Sequence, residues 1–441
     1  MKVHSSYRVE PVIVWGFLLV ILAGALLLWL SNKYLYDMPI AVVDALFMST
    51  SAVCVTGLVT INLAAGLGMI SQLIILVLIQ IGGLGIMTAV MMLGLVAGRK
   101  IGIKSRLFFL GGFGLNGVSG AVRLLTILAK YTFVAESFGA LLLYWGFIRH
   151  GISVEKSIYY AVFHSVSAFC NAGFSPLPNG LNGFSLSIIV PAAVMMLIIL
   201  GGIGFPVFAN CWEALWKKGR LSHYSKLVLL LTFWLITVGT VMLLISDWKE
   251  GLAGLPDWAR IWNALFTSVT TRTAGFDTVQ PSAFSELGKI LMIALMVIGA
   301  SPASTGGGMK TTTLGVLAVA AWNEMLGRDE NVFWHGKIGY QTVRRALALS
   351  FMYLITFFIG AVLLSFIEDF SFEALLFEAV SAMGTVGLSL GITPELSVAG
   401  KMVLVILMFW GRVGILSFFA TLIKEEKKVE IHYTEVNIPI G

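Results

Sequence analysis

Val55-Thr56-Gly57-Leu58 is the first of four short stretches that decide how this chain is built. The other three copies are Asn171-Ala172-Gly173-Phe174, Thr273-Ala274-Gly275-Phe276 and Thr385-Val386-Gly387-Leu388. Each copy places a glycine before a bulky apolar residue, and the glycines lie 116, 102 and 112 residues apart. These intervals are each close to a quarter of the 441-residue chain, so the spacing predicts four tandem copies of one structural unit.

The composition is typical of an integral membrane protein. Hydrophobic residues make up 58% of the chain and charged residues 12%, with a mean hydropathy of +0.92. Soluble domains carry about 25% charged residues, and no polar segment in this sequence is long enough to form a separate soluble domain. The first apolar stretch, residues 11–30, is too long for a signal-peptide core and lacks a small-residue cleavage site, so we expect it to remain as a span.

Basic residues exceed acidic ones, 29 against 23, and they concentrate in short loops between the apolar stretches. This is the positive-inside pattern of a multi-pass protein of the cytoplasmic membrane rather than a nucleic-acid-binding surface. It predicts that both termini are cytoplasmic, together with the basic segments near 99–123, 217–226, 328–345 and 424–428. The three cysteines, Cys54, Cys170 and Cys211, are spaced for neither a disulfide framework nor a metal site.

Eight apolar stretches are long enough to cross about 30 Å of hydrocarbon. They are residues 11–30, 69–97, 125–148, 185–210, 226–246, 287–322, 343–366 and 399–423. A shorter stretch of about a dozen residues, typical of a re-entrant helix, stands inside each pair, near 43–54, 158–170, 261–272 and 374–384. Each of the four stretches quoted first follows one of these short helices, and we call them the glycine loops.

The glycine loops suit the coordination of a dehydrated monovalent cation. The fourth loop is nearly the TVGYG loop whose backbone carbonyls replace the water shell of K⁺ in potassium channels. Glycine permits the backbone angles that turn consecutive carbonyls to one side, and the C-terminal end of a short helix carries a partial negative charge that favours a cation. All four residues of each loop are therefore candidate ion-binding residues, with K⁺ as the transported ligand. The alternative, an ordinary glycine C-cap, does not require a re-entrant stretch.

The predicted fold is all-α and integral to the membrane, with eight transmembrane spans and four pore loops around one pseudo-fourfold pore. Its four tandem repeats of helix, re-entrant pore helix and helix cover residues 1–98, 99–220, 221–323 and 324–441. The third repeat contains a broken second span, and the fourth includes a cytoplasmic C-terminal tail.

A second candidate site interrupts the sixth span at residues 299–310, which we call the inner loop. Pro302 and three consecutive glycines break the helix there, and non-helical backbone at membrane depth must line a cavity or lie inside the protein. We predict a mobile constriction, or gate, below the glycine loops, and a plain helix kink is the alternative. The gate candidates are Ser301, Pro302, Ala303, Ser304, Thr305, Gly306, Gly307, Gly308, Lys310 and Arg412.

Lys310 and Arg412 are cations at membrane depth, which are costly unless they are paired or hydrated. Lys310 could line the inner mouth or mark the cytoplasmic end of a half-helix. Arg412 stands where the other repeats have Gly83, Gly202 and Ala300, and it could either face the pore and repel cations or satisfy backbone carbonyls. The small residues at these matched positions predict close helix packing, with a break only in the third repeat.

Three further polar residues lie close to the glycine loops in the sequence. Arg272 directly precedes the third loop and is predicted to brace it from behind, with Glu378 of the fourth short helix as its partner. His164, in the second short helix, is predicted to be a hydrogen-bonded core residue rather than a catalytic group.

The chain resembles the Trk/Ktr/HKT superfamily of potassium transporters over its whole length, and within it the bacterial Ktr-type membrane subunits. The resemblance rests on the four glycine loops, on residues 271–276, on residues 301–310, and on Thr393-Pro394-Glu395-Leu396 followed by Trp410-Gly411-Arg412. It implies a potassium uptake subunit in which the segment matching the inner loop is an intramembrane gate and the matching arginine limits flux. All four loop glycines are kept, which in this superfamily favours potassium over sodium as the transported ion.

The resemblance also implies partners and an activator. Ktr-type subunits assemble as homodimers on a cytoplasmic ring of nucleotide-binding, RCK-type subunits, and their potassium uptake often depends on sodium ion. No nucleotide-binding domain and no cofactor motif is visible in this sequence, so we expect regulation to come from such a partner. The basic loops and the tail from Lys424 to Gly441 are the expected docking surfaces. Besides these subunits, the lipid bilayer is the expected partner.

Two other function classes are open. An alternating-access secondary cation symporter would show inverted repeats and paired broken helices, whereas the four predicted units share one orientation and only one shows a clear break. A membrane enzyme would need a catalytic motif, and no HExxH, GxSxG, P-loop lysine motif or acid dyad is present. We therefore expect a transporter without catalytic residues.

Overall fold

The computed structural model describes residues 10–86, 88–89, 91–92, 121–216, 219–415, 418 and 421. Within these residues the chain is mostly helical, and the one sheet is an antiparallel hairpin of β1 (Val332–Phe333) and β2 (Gly336–Lys337). Most of the basic segment at 99–123 and the whole C-terminal tail beyond 421, both expected to be cytoplasmic docking surfaces, lie outside the described residues.

One order of elements recurs four times along the described chain: a long helix, a short helix, a glycine loop and a second helix. The first unit contains α1 (Glu10–Leu35), α2 (Val42–Cys54), the single turn α3 (Leu63–Gly66) and α4 (Met69–Leu84). The second contains α5 (Ala121–Arg149), α6 (Val154–Phe169), α7 (Ile189–Gly202) and α8 (Phe205–Trp216). The third contains α9 (His223–Asp247), α10 (Asp257–Thr270), α11 (Glu286–Val297) and α12 (Thr311–Met325), and the fourth α13 (Tyr340–Ile367), α14 (Phe372–Gly384) and α15 (Val398–Val413).

The first helix of each unit is suited to a membrane. Of the described helices, α1, α5, α9 and α13 are individually long and apolar enough to cross a bilayer, with candidate spans of 25 to 28 residues. Only 28% of each most apolar stretch is buried, so most of these apolar side chains are at least partly exposed, as lipid contact requires. The pair α7 and α8 forms a fifth candidate, bent by 97°.

The short helices α2, α6, α10 and α14 contain 13, 16, 14 and 13 residues. At 1.5 Å per residue they extend for about 20–24 Å, which is less than the hydrocarbon thickness of a bilayer. They occupy the short stretches predicted from the sequence, with one to four additional residues at their N-terminal ends. Their C-terminal halves are buried, so these helices enter the protein rather than cross it.

The four units close into a ring. Helix α4 packs on α6, α7 on α10, and α11 on α14, so the second helix of each unit contacts the short helix of the next. The last unit contacts the first in the same way, because α15 packs on α2. Each short helix ends at a glycine loop, and the ring therefore surrounds the place where the four loops lie.

The second helices of all four units are broken, whereas the sequence predicted a break in the third unit alone. The breaks in the other units fall at Gly85 (φ +83°), Gly204 (φ +94°) and Gly414 (φ +89°), angles that glycine adopts at little steric cost. The predicted unbroken spans 69–97, 185–210 and 399–423 were wrong because apolar residues continue on both sides of each break. Close packing occurs there too, since a Cβ added to Gly201 would lie 2.8 Å from Thr305 Oγ1.

Candidate functional site

The four loop glycines meet at the centre of the ring. A Cβ atom added to Gly57 would lie 3.2 Å from Gly173 Cα, and one added to Gly173 would lie 3.1 Å from Gly275 Cα. One added to Gly275 would lie 3.0 Å from Gly387 Cα, and one added to Gly387 would lie 2.8 Å from Gly57 Cα. The contacts therefore run through the four loops in order and return to the first. The nearest atom in each case is the carbonyl oxygen that precedes the neighbouring glycine, on Ala172, Ala274, Val386 and Thr56 respectively.

All four glycine loops share one backbone conformation. The glycines have φ values of +96°, +71°, +76° and +94° in chain order. The residue two positions earlier is left-handed in every loop: Val55 (φ +59°), Asn171 (φ +59°), Thr273 (φ +70°) and Thr385 (φ +50°). A β-branched residue in this region is strained and persists only where the surroundings enforce it. Left-handed residues that alternate with ordinary ones turn successive carbonyls toward one side, the arrangement that an ion-coordinating carbonyl ring needs.

Serine side chains brace the first and fourth glycine loops. The N–H of Gly57 donates to Ser51 Oγ at 3.1 Å, and the N–H of Gly387 donates to Ser381 Oγ at 3.0 Å. Each serine stands six residues before its glycine and is fully buried. The recurrence of these serines is visible in the sequence. The structure shows that each hydroxyl accepts a hydrogen bond from the amide of its loop glycine.

The second and third loops are braced at the carbonyl that follows the glycine. Ser167 Oγ donates to the carbonyl of Phe174 at 2.9 Å, and Thr270 Oγ1 donates to the carbonyl of Phe276 at 2.7 Å. The third unit has Val269 at the serine position, so Thr270, one residue later, supplies the hydroxyl. The bracing role of Thr270 escaped the sequence reasoning because it stands out of register with the other three hydroxyls.

The residues that follow the glycines are buried, and His164 packs against one of them. Its ring lies 6.1 Å from that of Phe276, its Nδ1 lies 2.7 Å from the Tyr160 carbonyl oxygen, and its Nε2 lies 2.8 Å from Ser175 Oγ. His164 is fully buried, which confirms the prediction of a hydrogen-bonded core histidine.

A cavity of about 190 Å³ opens on one side of the glycine ring. It is lined by the four loop glycines and by residues that follow the loops, among them Ser175, Ser389 and Asp277. Asp277 is the one carboxylate among the described lining residues, and its Oδ2 accepts a hydrogen bond from Asn182 Nδ2 at 3.3 Å. A cleft lined by one sign of charge concentrates counter-ions, so Asp277 makes this cavity attractive to a cation. The sequence reasoning missed Asp277, although it follows Phe276 directly.

The inner loop crosses the opposite side of the glycine ring. The N–H of Gly307 donates to Thr385 Oγ1 at 3.1 Å, and Thr305 Oγ1 donates to the carbonyl of Phe169 at 3.0 Å. These partners precede the loop glycines in the chain, whereas the cavity is lined by residues that follow them. The glycine ring therefore stands between the cavity and the inner loop.

Hydrogen bonds tie the inner loop to the broken ends of neighbouring helices. Three backbone bonds join it to the break between α7 and α8: Ser301 N to Gly202 O (3.1 Å), Thr305 N to Gly201 O (3.2 Å) and Phe205 N to Ala303 O (3.1 Å). One more backbone bond reaches the fourth unit, where Gly308 N donates to Gly411 O (3.3 Å). Within the third unit, Tyr224 Oη on α9 donates to Pro302 O (3.2 Å). Within the loop, Ser304 Oγ donates to Ser301 O (2.6 Å). The breaks in the second helices thus provide the free carbonyls and amides that hold this segment.

Both predicted intramembrane cations donate to backbone carbonyls of the inner loop. Lys310 directly precedes α12, and its Nζ donates to the carbonyl of Gly306 at 2.9 Å. Arg412 Nη1 donates to the carbonyl of Thr305, and Nη2 donates to two carbonyls at the end of α4, one of them that of Gly83 at 3.2 Å. Arg412 therefore joins the inner loop to the first unit, and backbone carbonyls offset the cost of its buried charge.

The predicted pairing of Arg272 with Glu378 is wrong. The carboxylate of Glu378 is fully buried and accepts hydrogen bonds from the hydroxyls of Ser389 and Thr393, the second at 2.8 Å. Arg272 is buried behind the third glycine loop, where Nη2 lies 3.5 Å from Thr232 Oγ1 of α9. The hydrogen-bond partners of Glu378 are hydroxyls of its own unit, and they tie it to the chain that follows the fourth loop.

The sequence matches the family model TrkH, described as a cation transport protein, over residues 11–431. The chain belongs to the TrkH family. Among its relatives, the potassium/sodium uptake protein NtpJ of Enterococcus hirae is 35% identical over 451 residues, which cover 100% of this chain and 99% of that protein. The Ktr system potassium uptake protein B of Bacillus subtilis is 34% identical over 445 residues, with the same coverage of both chains.

A solved structure shares the fold of this TrkH-family chain. The crystal structure of the potassium transporter TrkH from Vibrio parahaemolyticus superposes with a TM-score of 0.75 over 96% of this chain and 86% of that chain. The two sequences are 20% identical, so this match concerns the fold.

The glycine ring is lined by backbone oxygens rather than by charged side chains. Within the described residues, no group of three or more His, Cys, Asp or Glu side chains could bind a metal ion. The carbonyl oxygens of Thr56, Ala172, Ala274 and Val386 each lie against the glycine of the neighbouring loop. Backbone carbonyls can replace the hydration shell of a monovalent cation without placing a fixed charge in its path.

Proposed function

We propose that this chain is the ion-translocating subunit of a Ktr-type system for potassium uptake across the cytoplasmic membrane. The closed ring of Gly57, Gly173, Gly275 and Gly387 carries the proposal, because a carbonyl filter needs several loops around one axis. The names of relatives support potassium as the cargo, since they describe uptake of potassium or of potassium and sodium. In this proposal the four glycine loops form the selectivity filter.

The proposed filter selects K⁺ through the width of the ring. Each glycine lies against the carbonyl that precedes the next glycine, so no side chain separates the loops. Carbonyls held at a fixed spacing can replace the water shell of K⁺, and in this proposal they do not close onto the smaller Na⁺. The buried hydroxyls of Ser51, Ser167, Thr270 and Ser381 hold that spacing from behind.

We propose the inner loop as the gate. It stands across the ring on the side away from the cavity, so a cation that leaves the filter there must displace it. Arg412 holds the loop to the first unit, and its positive charge opposes the passage of a cation in a medium of low dielectric constant. Loss of this tie is expected to raise flux.

The proposed topology has eight spans. In each unit, the second helix and the chain beyond its break together form one span. The long first helix forms the other, which gives two spans per unit. The positive-inside pattern then places both termini and the inner loop toward the cytoplasm, and it opens the cavity at Asp277 to the outside. The four tandem repeats keep the boundaries 1–98, 99–220, 221–323 and 324–441.

We also propose that the subunit works as a homodimer on a cytoplasmic nucleotide-binding ring, with sodium ion as an activator. The support is the naming of relatives as components B and D of a Ktr system, which implies further subunits. The exposed basic residues Arg344 and Arg345 at the start of α13 are candidate contacts for such a ring.

A single pore accounts for the geometry better than alternating access does. Broken helices occur in all four units and are compatible with either mechanism. The four units, however, follow one another around one ring with the same order of contacts, whereas alternating-access transporters are commonly built from inverted repeats.

The proposed function is tested by potassium uptake in a bacterial strain that lacks its own potassium uptake systems. The strain should grow at low external potassium when it produces this chain, and uptake should rise with sodium and with a co-produced nucleotide-binding partner. Absence of potassium uptake under all four combinations of sodium and partner, with the chain present in the membrane, would contradict the proposal.

A further inference from the structure

Ion pairs tie two of the four seams of the ring, a seam being the contact between the second helix of one unit and the short helix of the next. Lys401 Nζ on α15 lies 2.8 Å from Asp44 Oδ1 on α2. Lys289 Nζ on α11 lies 3.5 Å from Glu373 Oε1 on α14. Both pairs flank the fourth unit, so this unit is attached to each neighbour by opposite charges.

Uncharged groups tie the other two seams at corresponding places. Tyr159 Oη on α6 donates to Gln72 Oε1 on α4 at 2.6 Å. Asn263 Nδ2 on α10 donates at 2.8 Å to the carbonyl of Ser185, which precedes α7. These two seams flank the second unit.

The eight tying residues occupy matched positions in their units. The partners on the short helices stand 12 to 14 residues before the loop glycine. Their partners, three on the second helices and Ser185 just before one, stand 12 to 15 residues after it. Four unrelated surface contacts would not all fall within a few residues of the same place in every unit. The ties are therefore a repeated structural feature of the ring.

The seam between the fourth and first units differs from the others because no short stretch of chain crosses it. The other seams join consecutive units, whereas Lys401 and Asp44 are 357 residues apart. Their side chains are 13% and 19% exposed, against 20% and 36% for Lys289 and Glu373. A shielded pair is screened less by salt and water than an exposed one, so this pair is suited to closing the ring.

We propose that Asp44 and Lys401 are positioning residues for ion selection: their ion pair closes the ring of units and sets the width of the filter. This inference rests on the proposed function. Asp44 lies in the first turn of α2, which leads to Gly57, and Lys401 lies in the first turn of α15, whose Gly411 packs 3.1 Å from Thr385 of the fourth loop, measured from an added Cβ. The same two units make the shortest of the four glycine contacts, 2.8 Å.

The experiment compares Asp44→Asn, Lys401→Met and the reversed pair Asp44→Lys with Lys401→Asp, each in the full chain reconstituted in liposomes. The measurement is Rb⁺ uptake in the presence of rising Na⁺. The single variants should lose about tenfold in preference for Rb⁺ over Na⁺, equivalent to about 1.4 kcal/mol of differential binding, and the reversed pair should recover most of it.

Two control variants accompany these. Glu373→Gln breaks the longer and more exposed pair, in a seam that the chain itself crosses, and should change the preference less. Glu330→Gln removes the partner of Lys337 on the β1–β2 hairpin, an ion pair with side chains 61% and 56% exposed, and should leave the preference unchanged.

The outcomes separate the inference from the function on which it rests. A parent protein that takes up no Rb⁺ refutes the proposed function. A parent that is active and selective, with single variants of unchanged preference, overturns the inference alone. If the single variants unfold at a lower temperature than the parent, the reversed pair decides between the two explanations. Recovery of both the unfolding temperature and the preference for Rb⁺ supports the positioning role. Recovery of the unfolding temperature without the preference overturns it.

Discussion

Replacing Gly387 by alanine should impair ion selection, whereas replacing Gly391 by alanine should not, although the two glycines have nearly the same backbone angle. Their φ values are +94° and +99°. An alanine in a left-handed conformation costs about 1–2 kcal/mol, and this cost is common to both variants. The surroundings differ, because a Cβ at Gly391 would meet no heavy atom within 4 Å, whereas one at Gly387 would lie against the carbonyl oxygen of Thr56 and 2.8 Å from Gly57 Cα.

The additional clash at Gly387 can be relieved only by widening the ring, because the atoms it meets are backbone atoms of the first loop. Overpacking of this kind costs about 1–3 kcal/mol. If the ring relaxes until this cost is lost from K⁺ coordination, the preference for K⁺ over Na⁺ should fall by about 5- to 150-fold. Gly391→Ala should retain the parental preference and lose only the stability that corresponds to the backbone strain.

The assay is the initial rate of Rb⁺ uptake against rising Na⁺ in the potassium-uptake-deficient strain, with the amount of each variant in the membrane measured in parallel. Thermal unfolding of the purified variants reports the strain that they share. Unchanged selectivity in Gly387→Ala would refute the filter geometry. An equal loss of selectivity in both variants would refute the reasoning as well, because it would trace the effect to strain rather than to the ring.

Three further predictions concern the charged groups on either side of the ring. Arg412→Gln should raise the rate of K⁺ uptake at saturating K⁺ several-fold, because it removes the charge and weakens the tie to the inner loop; an unchanged rate at equal expression would contradict the gate. Asp277→Asn should raise the KM for K⁺ about threefold at low ionic strength and have little effect in high salt, because screening removes the attraction; Asp257→Asn, at a carboxylate 78% exposed on α10, is the control. Glu378→Ala should lower the unfolding free energy by about 1–3 kcal/mol because it leaves buried hydroxyls without their partner, and an unchanged unfolding temperature would show that the carboxylate does not hold the loop.

The positions of the short helices and the glycine loops could be predicted from the sequence because length and hydropathy constrain them directly. An apolar stretch of about a dozen residues cannot cross a bilayer, and a glycine after each such stretch marks where its helix ends. Helix α2 was expected near 43–54 and runs from Val42 to Cys54. The fourth short helix was expected near 374–384 and runs from Phe372 to Gly384.

The breaks at Gly85, Gly204 and Gly414 could not be predicted in the same way. A glycine inside an apolar stretch is compatible with a continuous, closely packed helix, and only its backbone angle in the folded chain distinguishes the two states. Apolar residues on both sides give one uninterrupted hydropathy signal. The third unit was predicted correctly because Pro302 removes a backbone donor and signals a break on its own.

Contacts between distant polar residues were the least predictable part of the site. Glu378 was expected to pair with Arg272 on the basis of charge, yet hydroxyls of its own unit, those of Ser389 and Thr393, satisfy it. Asp277 was overlooked because nothing in a single sequence shows that a carboxylate after a loop lines a cavity. Such contacts depend on how the four units pack, which local patterns do not encode.

The most direct test of the carbonyl filter is to locate a transported cation in the folded protein. Crystals of the full chain grown with Tl⁺, a heavy substitute for K⁺, would reveal the ion by anomalous diffraction. We expect the strongest peak inside the ring of Gly57, Gly173, Gly275 and Gly387, within coordination distance of the carbonyls of Thr56, Ala172, Ala274 and Val386. A fully occupied Tl⁺ site elsewhere in the membrane region, with no peak inside the ring, would contradict the account.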